Sequence, residues 1–160
     1  MTDTERKIVA AQGYVELQLY AEAREELRGL PSEALDRAEV VELRLLCLMM
    51  GEGCWAEALP LSKQLCEMEP DEPGGFIHAA YCLHELGRTI EAVEMLAKGP
   101  PALRTKPVYY YNLGCYHASL GNHDEALRFL EQSFEMDGRF RRMAREDPDL
   151  KSLWAALEKH

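Results

Sequence analysis

A period of 34 residues runs through most of this chain and limits the folds that it can adopt. Glycine and alanine both recur with that period, as Gly53, Gly87 and Gly121 and as Ala58, Ala92 and Ala126. Glycine suits a tight turn where a helix ends, and alanine suits the close approach of two helices. Self-similarity of this length is typical of solenoids, in which each unit packs only on its neighbours.

A weaker copy of the unit precedes these three. Ala23 lies 35 residues before Ala58, and Gln18 occupies the position of the repeated glycine. Terminal repeats are often atypical because they have a neighbour on one side only. We therefore expect four copies, the first of them degenerate.

Each copy has the pattern of two helices. Apolar residues fall at helical spacing, as in Leu43, Leu46 and Cys47, and no segment alternates like a strand. Proline lacks the helical backbone donor and clashes with the preceding turn. Gly29-Leu30-Pro31 and Gly99-Pro100-Pro101 therefore predict short second helices in the first and third copies.

A helix pair that recurs every 34 residues resembles the tetratricopeptide repeat family. The fourth copy matches the family signature at Tyr110, Leu113, Gly114, Ala126 and Leu130. The resemblance implies an all-α, right-handed α-α superhelix of about four helix pairs within a single domain, residues 1–160. Its repeats are expected at residues 4–37, which is the degenerate one, 38–72, 73–106 and 107–138.

The last 22 residues, 139–160, are expected to cover the open end of the solenoid. A basic turn or short helix, Arg139 to Arg145, comes first. Asp147 then suits the cap of a helix that begins at Pro148. An apolar stripe follows at Leu150, Leu153, Trp154 and Leu157. This segment resembles the tail of many bacterial members of the family, so we expect a bacterial protein.

The charge and the cysteine pattern restrict the partners and the compartment. The chain has 28 acidic and 18 basic side chains, a formal net charge of -10, which disfavours nucleic acid and anionic membrane surfaces as partners. Five cysteines without C-x-x-C spacing predict a reducing compartment. The sequence shows neither a secretory signal nor an apolar run long enough to span a bilayer. These features predict a cytoplasmic protein.

The family resemblance also implies a concave groove lined by the fifth, ninth and twelfth residues of each repeat. Those positions hold Ile8, Gln12 and Val15, then Leu43, Cys47 and Met50, then Ile77, Tyr81 and His84, and finally Tyr111, Cys115 and Ala118. This set is mainly apolar and aromatic, unlike the Lys, Arg and Asn set with which chaperone-linked members bind a C-terminal carboxylate. The predicted function is a non-enzymatic adaptor, scaffold or holding factor that binds a protein segment of unknown identity in this groove.

Two other functions remain open. The segment from Phe76 to Leu83 resembles part of the chaperones that hold type III secretion translocators, which are also small, acidic repeat proteins. A structural homodimer is the other alternative, with the groove or the Trp154 stripe buried between two copies. It also remains open whether the chain's own tail covers part of the groove.

We expect neither a metal site nor a cofactor nor a catalytic residue. His78 and Cys82 share a helix face, but a structural zinc ion needs two further ligands. Cys115 and His117 are too close in sequence to converge from one helix. The chain also has no phosphate-binding loop, dinucleotide fingerprint or H-E-x-x-H motif.

Overall fold

A computed structural model describes residues 1–159, so the last residue of the predicted capping segment lies outside the described range. Every regular element in that range is helical, which confirms the all-α solenoid predicted from the repeat. None of these helices is both long and apolar enough to cross a membrane. The α-helices are α1 Asp3–Glu16, α2 Tyr20–Arg28, α3 Ala38–Leu46, α4 Trp55–Met68, α5 Gly74–Glu85, α6 Thr89–Ala97, α7 Pro107–Ser119, α8 His123–Met136, α9 Arg139–Glu146 and α10 Trp154–Leu157.

The first eight helices form four antiparallel pairs, and each pair turns at a residue in the left-handed region. The φ angles are 60° at Gln18, 63° at Gly53, 79° at Gly87 and 80° at Gly121. Glycine adopts this conformation without steric cost, whereas a residue with a Cβ is strained in it. The turn function predicted for the repeated glycines is confirmed, and Gln18 adopts the same conformation in the first pair.

Small side chains let the two helices of a pair approach closely. The repeated alanines are each 0% exposed: Ala23, Ala58, Ala92 and Ala126. Gly114 has a related function, because a Cβ added there would lie 2.6 Å from Cγ of Leu130 on the facing helix α8. The signature residues of the fourth copy thus bring backbones together where a larger side chain would separate them.

The second helices differ in length as the prolines predicted. Helices α2 and α6 have 9 residues each, whereas α4 and α8 have 14 each. After each short helix the chain forms a 3-10 turn, Ser32–Asp36 and Pro101–Thr105, before the next pair begins. The limits of the four repeats themselves stay a prediction.

Helix α3 continues into a π-helical turn, Cys47–Glu52, that none of the other pairs has. The first and second copies are 35 residues apart, one more than the other copies, and a π-turn accommodates one extra residue within a helix. In the first, third and fourth pairs, the residue seven positions before the turn residue is buried. These residues are Ala11, Ala80 and Gly114. The equivalent Leu46 is only half-buried, and Leu45 is fully buried instead, so α3 is shifted by one residue.

The tail folds back onto the last helix pair. Asp147 is the predicted cap, and its Oδ1 accepts a hydrogen bond of 3.0 Å from the backbone N–H of Asp149. The segment after it begins as a 3-10 turn, Pro148–Leu153, and becomes α-helical only at α10. The 3-10 turn packs against α7, where Leu150 and Leu153 of the predicted stripe are buried, and Leu157 of α10 is buried as well.

The left-handed turn at Gln18 predicts a stabilising substitution. Gln18→Gly should raise the free energy of unfolding by about 0.5–1 kcal/mol, because relief of about 1–2 kcal/mol of backbone strain exceeds the entropic cost of glycine. Urea denaturation measures this change. Gln12→Gly is the matched control, since it places glycine at an exposed site inside α1 and should destabilise the chain by about 1 kcal/mol. Equal destabilisation by both variants would contradict the prediction.

Candidate functional site

A cavity of about 400 Å³ lies where α5 and α7 meet the end of α3 and the tail. We call it the central cavity. Six of the predicted groove residues line it together: Met50, Ile77, Tyr81, His84, Tyr111 and Cys115. Its volume falls within the roughly 300–1,000 Å³ typical of ligand sites, and most of its lining is apolar or aromatic, as in such sites.

The other predicted groove residues lie elsewhere. Gln12, Val15 and Leu43 border a separate shallow depression of about 200 Å³ between α1 and α3. Ile8 is 3% exposed and belongs to the core that α1 and α2 form with α3. Ala118 is buried within the main core. The predicted groove is therefore not one continuous surface.

Cys47 is the first residue of the π-helical turn after α3, and it does not line the central cavity. It is 1% exposed and borders a depression formed with Arg24 and Leu27 of α2. Leu43 joins it in the core around α1 and α2. The π-helical turn explains where Cys47 and Leu43 lie. Its extra residue rotates the part of the helix before it, so residues chosen by the spacing of the other repeats fall on a different face.

Asp147 fastens the tail to the inner helix α7. The Tyr111 hydroxyl donates to Asp147 Oδ2 over 2.7 Å, and the Cys115 thiol donates to the same oxygen over 3.7 Å. Both side chains are buried in consequence, Tyr111 at 4% and Cys115 at 5% exposure. The carboxylate therefore closes the cavity at the fourth helix pair.

A second carboxylate of the tail reaches the third helix pair. His84 Nε2 lies 3.1 Å from Asp149 Oδ2, and His84 Nδ1 lies 3.0 Å from Thr89 Oγ1. A carboxylate accepts only, so Nε2 carries a proton and donates to Asp149. In the neutral ring, Nδ1 then accepts from the Thr89 hydroxyl. The tail is thus tied to both α5 and α7.

Apolar contacts complete this closure. Phe140 of α9 packs on Tyr111 with ring centroids 5.2 Å apart, and Met143 follows it on the cavity wall. The indole Nε1 of Trp154 donates to the Ala144 carbonyl over 3.0 Å, which joins α10 to α9. Aromatic pairs of this geometry contribute about 0.5–1.5 kcal/mol beyond the area that they bury.

The carboxylates make the electrostatic potential of the cavity negative. Burial raises the pKa of Tyr81, and the carboxylates of Glu85, Asp149 and Asp147 raise it further. Burial also raises the pKa of the Cys115 thiol, again with contributions from Asp147 and Asp149. Both groups therefore carry their protons at neutral pH.

Polar groups of the cavity that have no hydrogen bond within residues 1–159 include those of Tyr116 and His78. Tyr116 is 1% exposed, and its hydroxyl has no hydrogen-bond partner within residues 1–159. His78 is half-buried, and burial lowers the pKa of its imidazole, so the ring is neutral at pH 7. A buried hydroxyl without a partner costs roughly 1–3 kcal/mol, which a bound group that accepts or donates a hydrogen bond would recover.

Sequence reasoning left open that the tail covers part of the groove, but it named none of the tail residues that line the cavity. It assigned this segment to end-capping, whereas Phe140, Met143, Asp147 and Asp149 all line the cavity. It also missed residues of α7, including Val108 and Tyr116, which lie beside the predicted positions. The two aspartates flanking Pro148 were the available signal, since charges in a capping segment that packs on apolar helices need partners.

Tyr111→Phe should loosen the tail without disturbing the helix pairs. Losing the hydrogen bond to Asp147 should cost about 1 kcal/mol and speed amide hydrogen exchange across residues 139–159. Tyr110→Phe is the matched control, because the Tyr110 hydroxyl has no hydrogen bond within residues 1–159, and it should leave both measurements unchanged. Wild-type exchange in Tyr111→Phe would contradict the assigned role of this contact.

His78 predicts a loss of stability in mild acid. Its pKa is lowered in the folded state, so the unfolded chain binds this proton more readily, and stability falls as the pH drops below the ordinary histidine value of about 6.5. His78→Gln should reduce the difference between unfolding free energies measured at about pH 7.5 and about pH 5.5. The exposed His123→Gln should leave the difference intact. Burial also lowers the pKa of His117, whose contribution persists in both variants.

Comparisons with known proteins agree with this architecture. Residues 107–140 match the family model described as tetratricopeptide repeat. The solved structure of MamA MSR-1 C2, a tetratricopeptide repeat protein, is similar with a TM-score of 0.69 and 21% sequence identity, over 86% of this chain and 79% of that one. No curated protein sequence matches the chain.

No group of three or more His, Cys, Asp or Glu side chains within residues 1–159 is arranged to hold a metal ion. Residues 107–140 thus form a tetratricopeptide repeat, and most of the chain shares the fold of a solved tetratricopeptide repeat protein.

Proposed function

We propose that this chain is a non-enzymatic adaptor or holding factor that binds a segment of one partner protein over the central cavity. The repeat family and the fold support a protein–protein interaction module in general. The observation that carries the finer proposal is the cavity itself, about 400 Å³ of mainly apolar space between α5, α7 and the tail.

The accessible lining favours a small anchor over a long groove. Met50 is 54% exposed at the mouth of the cavity, and Ile77 and Tyr81 are half-buried on its wall. Tyr111 and Cys115 lie beneath the tail. A partner therefore contacts the rim and inserts one or two large side chains, an arrangement in which a few buried anchors supply most of the binding energy.

The chemistry of the lining supports binding rather than catalysis. Burial raises the pKa of the Cys115 thiol, which lines the cavity, so it is not a thiolate nucleophile at neutral pH. Asp147 and Asp149 accept hydrogen bonds from Tyr111 and His84, which holds the tail in position. These aspartates therefore serve to hold the tail, and the cavity thiol keeps its proton.

Substitution at the mouth of the cavity tests the proposal. Random peptides of about 16 residues, displayed on phage and selected on the immobilised full chain, supply ligands whose affinities fluorescence anisotropy then measures. Met50→Asn should weaken them about tenfold, because it removes apolar contact area at the rim without adding charge. Met136→Asn is the matched control, since Met136 is an exposed methionine of α8 outside the cavity.

Equal affinity for the two variants would show that peptides bind elsewhere, and a selection that enriches no peptide would overturn the proposal. Light scattering on the same protein checks the alternative homodimer. If the chain dimerises and loses peptide binding as the dimer forms, the apolar lining belongs to a subunit interface.

A further inference from the structure

The charges at the mouth of the central cavity all have one sign. Asp147 and Asp149 line it, and Glu85 ends α5 beside it, exposed to solvent. No lysine or arginine is among the described residues that line the cavity. A partner that enters the cavity therefore meets carboxylates without a lysine or arginine among the described lining residues.

These carboxylates retain capacity for another cation. His84 occupies Oδ2 of Asp149, while Oδ1 of that residue has no hydrogen bond within residues 1–159. Asp149 is 44% exposed, and Glu85 forms no ion pair in the described part of the chain. Both carboxylates thus offer oxygens to solvent or to a partner. A charge-assisted hydrogen bond to such an oxygen is roughly twice as strong as one between neutral groups.

The interior has a different character. Ile77, Tyr81 and Val108 give it apolar walls, and the unpartnered hydroxyl of Tyr116 lies at 1% exposure among them. A large apolar side chain fits such walls. A polar atom at its end would satisfy the Tyr116 hydroxyl. The site therefore combines an apolar pocket with an acidic rim.

The tail shows which kind of segment this surface accepts. Helix α9 is basic and amphipathic: Phe140 and Met143 line the cavity, while Arg142 and Arg145 are exposed to solvent. The walls of the central cavity thus already pack against α9, which has apolar residues on one side and arginines on the other.

We propose that the central cavity binds a cationic amphipathic segment of a partner protein. One large apolar side chain enters between Ile77, Tyr81 and Val108, and a lysine or arginine of the same segment contacts Asp149 and Glu85. This inference rests on the proposed function, since it specifies the partner of that site. The net charge of -10 supports it, because the field of the whole chain attracts a cationic segment and repels an acidic one.

The peptides from the random library provide the test. Peptides whose affinity depends on Met50 should be enriched in Lys and Arg beside a large apolar residue. Replacing those Lys and Arg residues by Gln should weaken binding about tenfold. Raising NaCl from about 50 mM to about 300 mM should shrink this difference, because salt screens exposed charges.

Glu85→Gln tests whether the Glu85 carboxylate of this chain contacts the basic residues of the peptide. It should weaken the basic peptides several-fold and leave their Gln-substituted versions unchanged. Glu94→Gln, at an exposed site on α6 outside the cavity, is the matched control and should leave both unchanged.

The outcomes separate the two proposals. Cavity-dependent peptides that are neutral or acidic, or basic peptides insensitive to Glu85→Gln, would overturn the cationic partner and leave the peptide-binding function standing. A selection without any cavity-dependent peptide would overturn the proposed function and this inference with it.

Discussion

The close packing of two helices across a left-handed turn is the constraint on which the rest of the structure depends. The turn residues, from Gln18 to Gly121, reverse the chain, and a fully buried alanine five residues later sets the distance between the helices. A larger residue in place of a buried alanine would alter the angle between the two helices and so the position of the neighbouring pairs, because each unit of a solenoid packs only on its neighbours. Gly114 shows the margin, since a Cβ there would overlap Leu130. The shape of the central cavity therefore depends on small buried residues that a partner does not contact.

The tail turns this repetitive frame into an individual site. A solenoid end must cover its apolar face, and the buried leucines of the tail fulfil that requirement. Asp147 does more than cap a helical turn, because its second oxygen accepts hydrogen bonds from Tyr111 and Cys115. The cap of the 3-10 turn and the closure of the central cavity thus depend on the same carboxylate. A change that loosens the tail would also alter the volume and charge of the cavity.

Charge and apolar surface are arranged in a way that suits binding. Buried thiols and phenols keep their protons, while the carboxylates near the mouth remain beside the apolar walls. A carboxylate in such a position gives orientation and selectivity to a contact whose strength comes from burial. Helix α9, with arginines outside and Phe140 inside, packs against this surface within the same chain.

The sequence by itself determined the helices, the four turns and the buried alanines, because these follow from residue types at a fixed period. It also predicted six residues that line the cavity, since the third and fourth repeats keep their register and Met50 lies only three residues before the turn at Gly53. Cys47 and Leu43 were predicted in the groove but lie outside the central cavity, because one extra residue is accommodated in the π-helical turn after α3 and sequence spacing does not reveal where such a residue lies. Only the tertiary structure decided that Asp147 and Asp149 meet Tyr111 and His84, contacts that span 36 and 65 residues. Pairings at that separation depend on how the tail folds back over the helix pairs, and the repeat period carries no information about that path.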